Sequence, residues 1–287
     1  MKKIPIRQIS SVYQGVQPSE RFTIRKVQDI VGETDLIQHL HRHNFFFILA
    51  LQTGDGTHDI DFNTYKVRSQ SIYFLRPGQV HQLELKAGCT GFLVEYNAEF
   101  YNPDTKSAIQ RFRRASHKTY CKLDANRFDK IQATLTAMYL EYRDKEEGYN
   151  EAIRTNLNIF FIEFVRQSPN PSSPQRAINQ YTQERLDEFL ALMDLHITTH
   201  KLASQYAGFM NLSLYQMNEI TKTTLGKVTS DLINERIILE AKRYLLATPD
   251  QIKDIADHLG YKDVSYFIRF FKKHAGYTPE AFRHNFG

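Results

Sequence analysis

Cysteine is almost missing from this chain: Cys89 and Cys121 are the only two in 287 residues. They show no metal-like spacing and cannot build a disulfide framework, so both are expected to be reduced thiols in a cytoplasmic protein. No apolar run approaches the roughly 20 residues that a membrane span requires, so no membrane partner is expected. The opening MKKIPIRQISS carries two lysines but no apolar h-region, and it does not read as a secretory signal. There is no CxxC pair, no Gly-rich phosphate loop and no Ser/His/Asp constellation. The usual signatures of redox, nucleotide-dependent and hydrolytic enzymes are therefore missing, and no catalytic residue and no cofactor are expected.

Charge of one sign is also scarce where nucleic acid would want it. The formal net charge is +5, but residues 177–287 hold 13 Lys+Arg and 13 Asp+Glu. The whole excess lies in residues 1–176. Any case for DNA must rest on where individual cations stand, not on bulk charge.

What is present is most regular near the C-terminus. In residues 252–284, Ile255, Ala256 and Leu259 recur at helical spacing, and Gly260 ends that helix. Asp263 is placed to cap a second helix from about Val264 to His274, with Phe267, Phe270 and Phe271 on its apolar face. Two short helices joined by a Gly turn form a helix-turn-helix. The same device occurs once more, and Gly226 and Gly276 stand 50 residues apart. At that offset Ser213 falls on Asp263, Met217 on Phe267, Ile220 on Phe270 and Lys222 on Lys272. Upstream, Tyr206, Ala207 and Met210 play the part of Ile255, Ala256 and Leu259, with one residue fewer in the turn. Such a repeat implies two copies of one supersecondary unit, about residues 202–226 and 252–276. Ile233, Ile237, Ile238, Ala241 and Leu245 place a long helix, about residues 229–247, between them.

This C-terminal stretch resembles the DNA-binding domain of the AraC family of bacterial transcription regulators. The resemblance is carried by Ala241 to Leu246, Ile255-Ala256, Leu259-Gly260-Tyr261, Ser265-Tyr266-Phe267, Arg269, Phe271-Lys272-Lys273, Gly276, Thr278-Pro279 and Phe282-Arg283. It implies two recognition helices entering adjacent major grooves, roughly 34 Å apart along B-DNA. On the first, about Leu214–Thr224, the face opposite Met217 and Ile220 carries Tyr215, Asn218, Glu219 and Lys222. Asn can bond adenine and Glu can accept from cytosine N4. The family often places Arg where Glu219 stands, so this helix departs from the usual chemistry. On the second, Ser265 and Arg269 are the base-facing candidates, and Lys272 and Lys273 would clamp phosphates.

The N-terminal half reads as short strands: Phe45–Leu51, Thr57–Phe62, Ser71–Leu75, Val80–Leu85 and Gly91–Tyr96, separated by Gly and Pro-Gly turns. Their number and spacing suggest a small barrel or jelly roll. His41-Arg42-His43 and Pro77-Gly78-Gln79-Val80-His81 resemble the two motifs of the cupin barrel, the sensing domain of part of the AraC family. In metal-binding cupins these motifs supply three His and one Glu. His41, His43 and His81 fit three positions, but Phe47 and Ile48 stand where the Glu belongs. Loss of the anionic ligand argues against a catalytic metal, although a three-His site can still bind zinc. The expected ligand pocket is lined by His41, His43, Phe45, Phe47, Tyr73, His81 and Phe92, and no metal is assigned to it.

Residues 124–144 and 150–167 show two amphipathic helices broken at Gly148, more apolar than one barrel face requires. A homodimer interface on this hairpin is therefore expected. Ser168 to Pro174 holds three prolines and three serines, which marks a linker.

The expected fold class is α+β multidomain: an N-terminal cupin-like β-barrel (jelly roll) with a packed helical hairpin, and an all-α C-terminal domain with two helix-turn-helix units. The expected division is residues 1–167 for ligand sensing and dimerisation, with the barrel about 10–100 and the helices about 124–167. A linker follows at 168–176 and the DNA-binding domain at 177–287. The expected function is sequence-specific transcription regulation in response to a small-molecule effector. The partners are double-stranded DNA, the effector and a second copy of the chain, and the resemblance also allows RNA polymerase. Two rivals are kept: a metal-dependent cupin enzyme fused to a DNA-binding domain, and a ligand-independent regulator whose barrel only dimerises.

Overall fold

The computed structural model describes residues 5–7, 9, 21–166 and 176–286. The chain divides into two compact units, one over Pro5–Pro169 and one that takes in Asn170–Gly287. The first runs β1 (Ile6–Arg7), β2 (Phe22–Lys26), α1 (Val27–Val31), β3 (Leu36–His43), β4 (Phe46–Thr53), β5 (Asp55–Ile60), β6 (Asn63–Arg68), β7 (Ser71–Leu75), β8 (Val80–Leu85), β9 (Thr90–Tyr96), α2 (Lys106–Ser116), β10 (Tyr120–Lys122), α3 (Ala125–Asp144) and α4 (Tyr149–Val165).

Strand β4 decides how this unit is layered. Its Phe47 to Leu51 are buried on both faces, which is why the run is continuously apolar instead of alternating. One face, with Phe47, Leu49 and Leu51, joins Leu83, Leu85, Ile60 and Val67 in a core between two sheets. The other, with Ile48 and Ala50, packs against Phe128, Ile131, Leu135, Met138, Leu157, Phe160 and Phe164 of α3 and α4. The apolar surplus of the hairpin is thus largely spent inside the unit, leaving Leu140 and Ile159 exposed.

The expected cupin-like barrel is not formed. The strands make two five-stranded sheets, ordered β1-β3-β8-β5-β6 and β10-β7-β4-β9-β2, and among the described residues neither closes on itself. The fold class is corrected to two open sheets with helices on one outer face. Inward–outward alternation marks strands in a sequence, but closure needs a hydrogen-bond register between first and last strands, which alternation does not encode. Residues 10–20 of the expected barrel and the Ser168–Pro174 linker lie outside the described residues.

The second unit runs α5 (Arg176–His196), α6 (Ala203–Phe209), α7 (Leu214–Leu225), α8 (Thr229–Ala247), α9 (Ile252–His258), α10 (Val264–Ala275) and α11 (Pro279–Phe286). Helix α8 is the rod: it buries Ile233, Ile237, Ile238, Ala241 and Leu245, and it packs on α6 and α7 as well as on α9, α10 and α11. The two turns repeat in detail. Leu212 N–H donates to Ala207 O at 2.9 Å, and Tyr261 N–H donates to Ala256 O at 2.8 Å. Asn211 and Gly260 hold the left-handed positions, at φ 52° and 74°, and these are the residue types that tolerate them. Ser213 accepts from Gln216 N–H to cap α7, and Asp263 accepts from Ser265 and Tyr266 N–H to cap α10. Gly226 and Gly276 end both helices in left-handed backbone.

Candidate functional site

Two sets of residues are candidates, one in each unit. In the C-terminal unit, Met217 and Thr221 of α7 and Phe267 and Phe271 of α10 are buried, which turns the opposite faces to solvent. Tyr215 is 74% exposed, and Glu219, Lys222, Ser265, Arg269, Lys272 and Lys273 are all exposed. Phe270 is only half-buried, its ring tilted against those of Tyr261 and His274.

Asn218 stands apart from the other predicted DNA contacts. Its side-chain oxygen accepts from Thr229 N–H at 3.0 Å, while Thr221 Oγ1 lies 3.4 Å from Thr229 Oγ1. The carboxamide caps the start of α8, so Asn218 is half-buried and its acceptor is spent within the fold.

Three arginines of α5 and α8 are paired: Arg236 with Asp194 at 2.9 Å and Glu240 at 3.0 Å, Arg243 with Glu240 at 2.6 Å, Arg185 with Glu188 at 2.6 Å. Lys222, Arg269, Lys272 and Lys273 make no ion pair among the described residues. A domain of zero net charge therefore still offers cations outside ion pairs on α7 and α10, with Glu219 the carboxylate that shares the exposed face of α7.

The second set lies between the sheets. Strand β8 sits between β3 and β5, so His41 and His43 of β3, His81 of β8 and His58 of β5 form a row across three neighbouring strands. A bulge in β3 makes this row. The pairing slips between Gln38 and His41, which moves the inward positions from even to odd numbers and turns His41 and His43 inward. His43 Nε2 lies 2.8 Å from His81 Nε2, and His58 Nε2 lies 2.9 Å from His81 Nδ1. His41 Nδ1 is 2.8 Å from His39 O, and His43 Nδ1 is 3.3 Å from Phe45 O. Ligand atoms of His41, His43 and His81 all fall within 4.8 Å of one another.

Burial holds all four rings neutral. It depresses His41 to about 4 and His43 and His58 to about 3, with neighbouring histidines lowering the latter two further. His81, fully enclosed, is pushed well below the ordinary imidazole value for the same reasons. Aromatic rings close the site: Phe45 stacks on His43 at 4.4 Å, Phe47 stacks on it at 5.3 Å, and Tyr73 lies 4.9 Å from His58.

Six of the seven residues expected to line the ligand pocket, His41, His43, Phe45, Phe47, Tyr73 and His81, thus belong to one interior cluster. Phe92 does not. It projects from the opposite face of β9 toward α3, 5.8 Å from Tyr139, because neighbouring strand residues face opposite ways. His58 escaped the sequence reading, although its alternation with Ile60 in the expected strand was a signal that it points inward. A separate cleft of about 560 Å³ is lined by Ile24, Lys26, Ile30, Leu36, Tyr139 and Tyr142, among others, and holds none of the predicted ligand residues.

Two family models match the chain: a helix-turn-helix domain over residues 206–285 and an AraC-like ligand binding domain over residues 32–156. By sequence it is similar to the uncharacterized HTH-type transcriptional regulator YfiF of Bacillus subtilis (strain 168), 24% identical over 253 residues, covering 85% of this chain and 78% of that protein. It is also similar to the HTH-type transcriptional activator RhaS of Escherichia coli O157:H7, 20% identical over 251 residues, covering 85% and 86%. Against the crystal structure of ToxT from Vibrio cholerae O395, identity is 15%, coverage 92% and 97%, and the TM-score 0.42. That agreement is too low to place any residue of this chain.

Proposed function

Since the chain is an AraC-family transcription regulator, with a ligand-binding N-terminal domain and a helix-turn-helix C-terminal region that binds DNA sequence-specifically, we propose that α7 and α10 are its two reading helices. It is a regulator and not an enzyme. In this reading α8 holds α7 and α10 so that they enter neighbouring major grooves. The observation that supports it is the pairing pattern: Arg185, Arg236 and Arg243 of α5 and α8 are neutralised, while Lys222, Arg269, Lys272 and Lys273 on α7 and α10 are left for phosphates and bases.

The repeat also supports a reading of unlike half-sites. Tyr215 and Ser265 occupy equivalent positions, as do Glu219 and Arg269. Arg269 suits guanine, and Glu219 suits a cytosine amino group while repelling phosphate. The two helices therefore prefer different bases, and the operator is asymmetric within one monomer's footprint.

The proposed effector site is the enclosed cluster around His41, His43, His58 and His81, with Phe45, Phe47 and Tyr73. An effector alters DNA binding only by binding two states of the protein differently. A second copy of the chain and RNA polymerase complete the proposed partners. The test is to titrate candidate small molecules while following operator affinity by fluorescence anisotropy and mass by sedimentation. A shift in affinity that disappears in His58→Phe supports the interior site. Sequence-specific binding with no response to any ligand leaves only the DNA-binding half of the proposal standing.

A further inference from the structure

The two helix-turn-helix copies differ at the turn. In the second, Gly260 lies against the loop that joins α5 to α6: a methyl built on it would stand 2.0 Å from Thr198 O and 2.8 Å from Lys201 Nζ. In the first, Asn211 holds the left-handed position and is exposed. A loop leading into the first copy therefore rests on the turn of the second, and the repeat is broken there.

Lys201 makes the tie. Its ammonium donates to Thr198 O at 3.0 Å and to Gly260 O at 3.2 Å, and it stands 4.9 Å from the centre of the Tyr261 ring. On the side of the first copy, Lys201 N–H donates to Gln205 Oε1 at 3.0 Å, which fixes it to the first turn of α6. On the other side Tyr261 is buried, and its ring lies 5.3 Å from Phe267, 5.7 Å from Phe270 and 5.9 Å from Tyr266, all on α10. Lys201 forms no ion pair among the described residues, and burial pushes its pKa below the ordinary lysine value. An ammonium that gives up water without meeting a carboxylate costs stability, so its two carbonyl bonds and the ring must offset that loss. The repeat does not supply the lysine twice. Leu202 and Gln251 are the equivalent residues that precede α6 and α9, and Asp250 stands before Gln251.

We propose that Lys201 is a positioning residue for DNA recognition: by tying the start of α6 to the Gly260–Tyr261 turn, it fixes the separation and relative rotation of α7 and α10. This inference rests on α7 and α10 being the two reading helices. Helix α8 packs on both helix-turn-helix copies, but a single rod leaves each copy able to pivot about it. A second tie away from the rod removes that freedom. Along B-DNA one base pair adds about 3.4 Å and turns the groove by about 35°. A frame that cannot pivot therefore accepts one spacing between its two motifs, and a loose frame accepts several. Lys201 thus selects the operator by spacing, without touching a base.

The test uses the full-length chain and two readouts. For the first, duplexes that the wild-type chain selects from a random pool are rebuilt with the two motifs one base pair closer and one base pair farther apart. The wild-type chain should lose about tenfold in affinity for either shift, a penalty the size of one mismatched base pair. Lys201→Met, which keeps the stem and removes the donors, should lose about threefold or less, with base preferences inside each motif unchanged. A lysine that only met phosphate would weaken every spacing alike and leave the wild-type penalty intact, and that result would overturn the proposal. The second readout needs no DNA. Nitroxide labels on Thr223→Cys and Lys273→Cys, exposed positions of α7 and α10, report the distance between the helices by pulsed electron paramagnetic resonance, while the native Cys89 and Cys121 are buried. The distance distribution should be narrow with Lys201 and broad with Lys201→Met. Equal widths would overturn the tie itself, whatever the DNA results. A wild-type selection that yields a single motif would instead remove the two-helix reading, and the positioning role with it, even where the widths differ. If Lys201→Met does not fold by circular dichroism, Lys201→Gln takes its place with the same expectations.

Discussion

Arg269 is exposed and unpaired on a helix whose opposite face is buried, which is why it is proposed to read a base. Arg269→Ala is expected to cost about 1–3 kcal/mol of operator affinity and to relax preference at one base pair, measured by anisotropy against single-base operator variants. Lys273→Ala should instead weaken all duplexes alike and lower the salt slope by about 1. Glycine makes a second contrast at this scale. A methyl on Gly260 would sit 2.0 Å from Thr198 O in left-handed backbone, whereas one on Gly276 would meet nothing within 4 Å. Gly276→Ala should therefore cost about 1 kcal/mol, from backbone conformation alone. Gly260→Ala should cost appreciably more, with roughly 3 kcal/mol as the scale for displaced backbone. Urea unfolding of both variants checks the order, and equal midpoints would contradict it.

Among the elements, helices were the more legible. A 3.6-residue period, Ser213 and Asp263 as caps, and Gly226 and Gly276 as stops mark α7 and α10 directly, because each signal is local. Sheet closure was not legible, since it depends on pairings between distant strands. The bulge between Gln38 and His41 was hidden for the same reason: it exists only relative to β8. His58 and Phe92 show both sides of the limit. One joins the site and the other leaves it, and face and register together decided each. Asn218 shows what a helical face cannot reveal. The sequence puts it beside Tyr215 and Glu219, but it ties α7 to the first turn of α8. Asn218→Ala is expected to cost about 1 kcal/mol of stability, as loss of a cap does, while leaving the base preferences of the operator unchanged. Denaturation together with binding-site selection checks this. Changed specificity at unchanged stability would return Asn218 to the reading surface.

For the whole molecule, the N-terminal unit carries a pH signature. His41, His43 and His58 are neutral in the fold down to about 4, 3 and 3, but take up protons near 6.5 once unfolded. Below about pH 6.5 the unfolded chain binds more protons, so stability is full above that value and falls as pH drops toward 4. Each such ring removes up to about 1.4 kcal/mol per pH unit in this window. Chelator-treated protein should thus melt markedly lower at pH 5 than at pH 7, and His58→Phe should flatten the slope. In the proposed reading, two unlike helices on one rod, α7 and α10, define the DNA footprint of the C-terminal unit. Selecting bound duplexes from a random pool with the purified chain tests that most directly. The expected result is two dissimilar short motifs centred about 10–10.5 base pairs apart, with Arg269→Ala erasing information from one and Glu219→Ala from the other. A single motif sensitive to both substitutions, or no preference among duplexes, would contradict it.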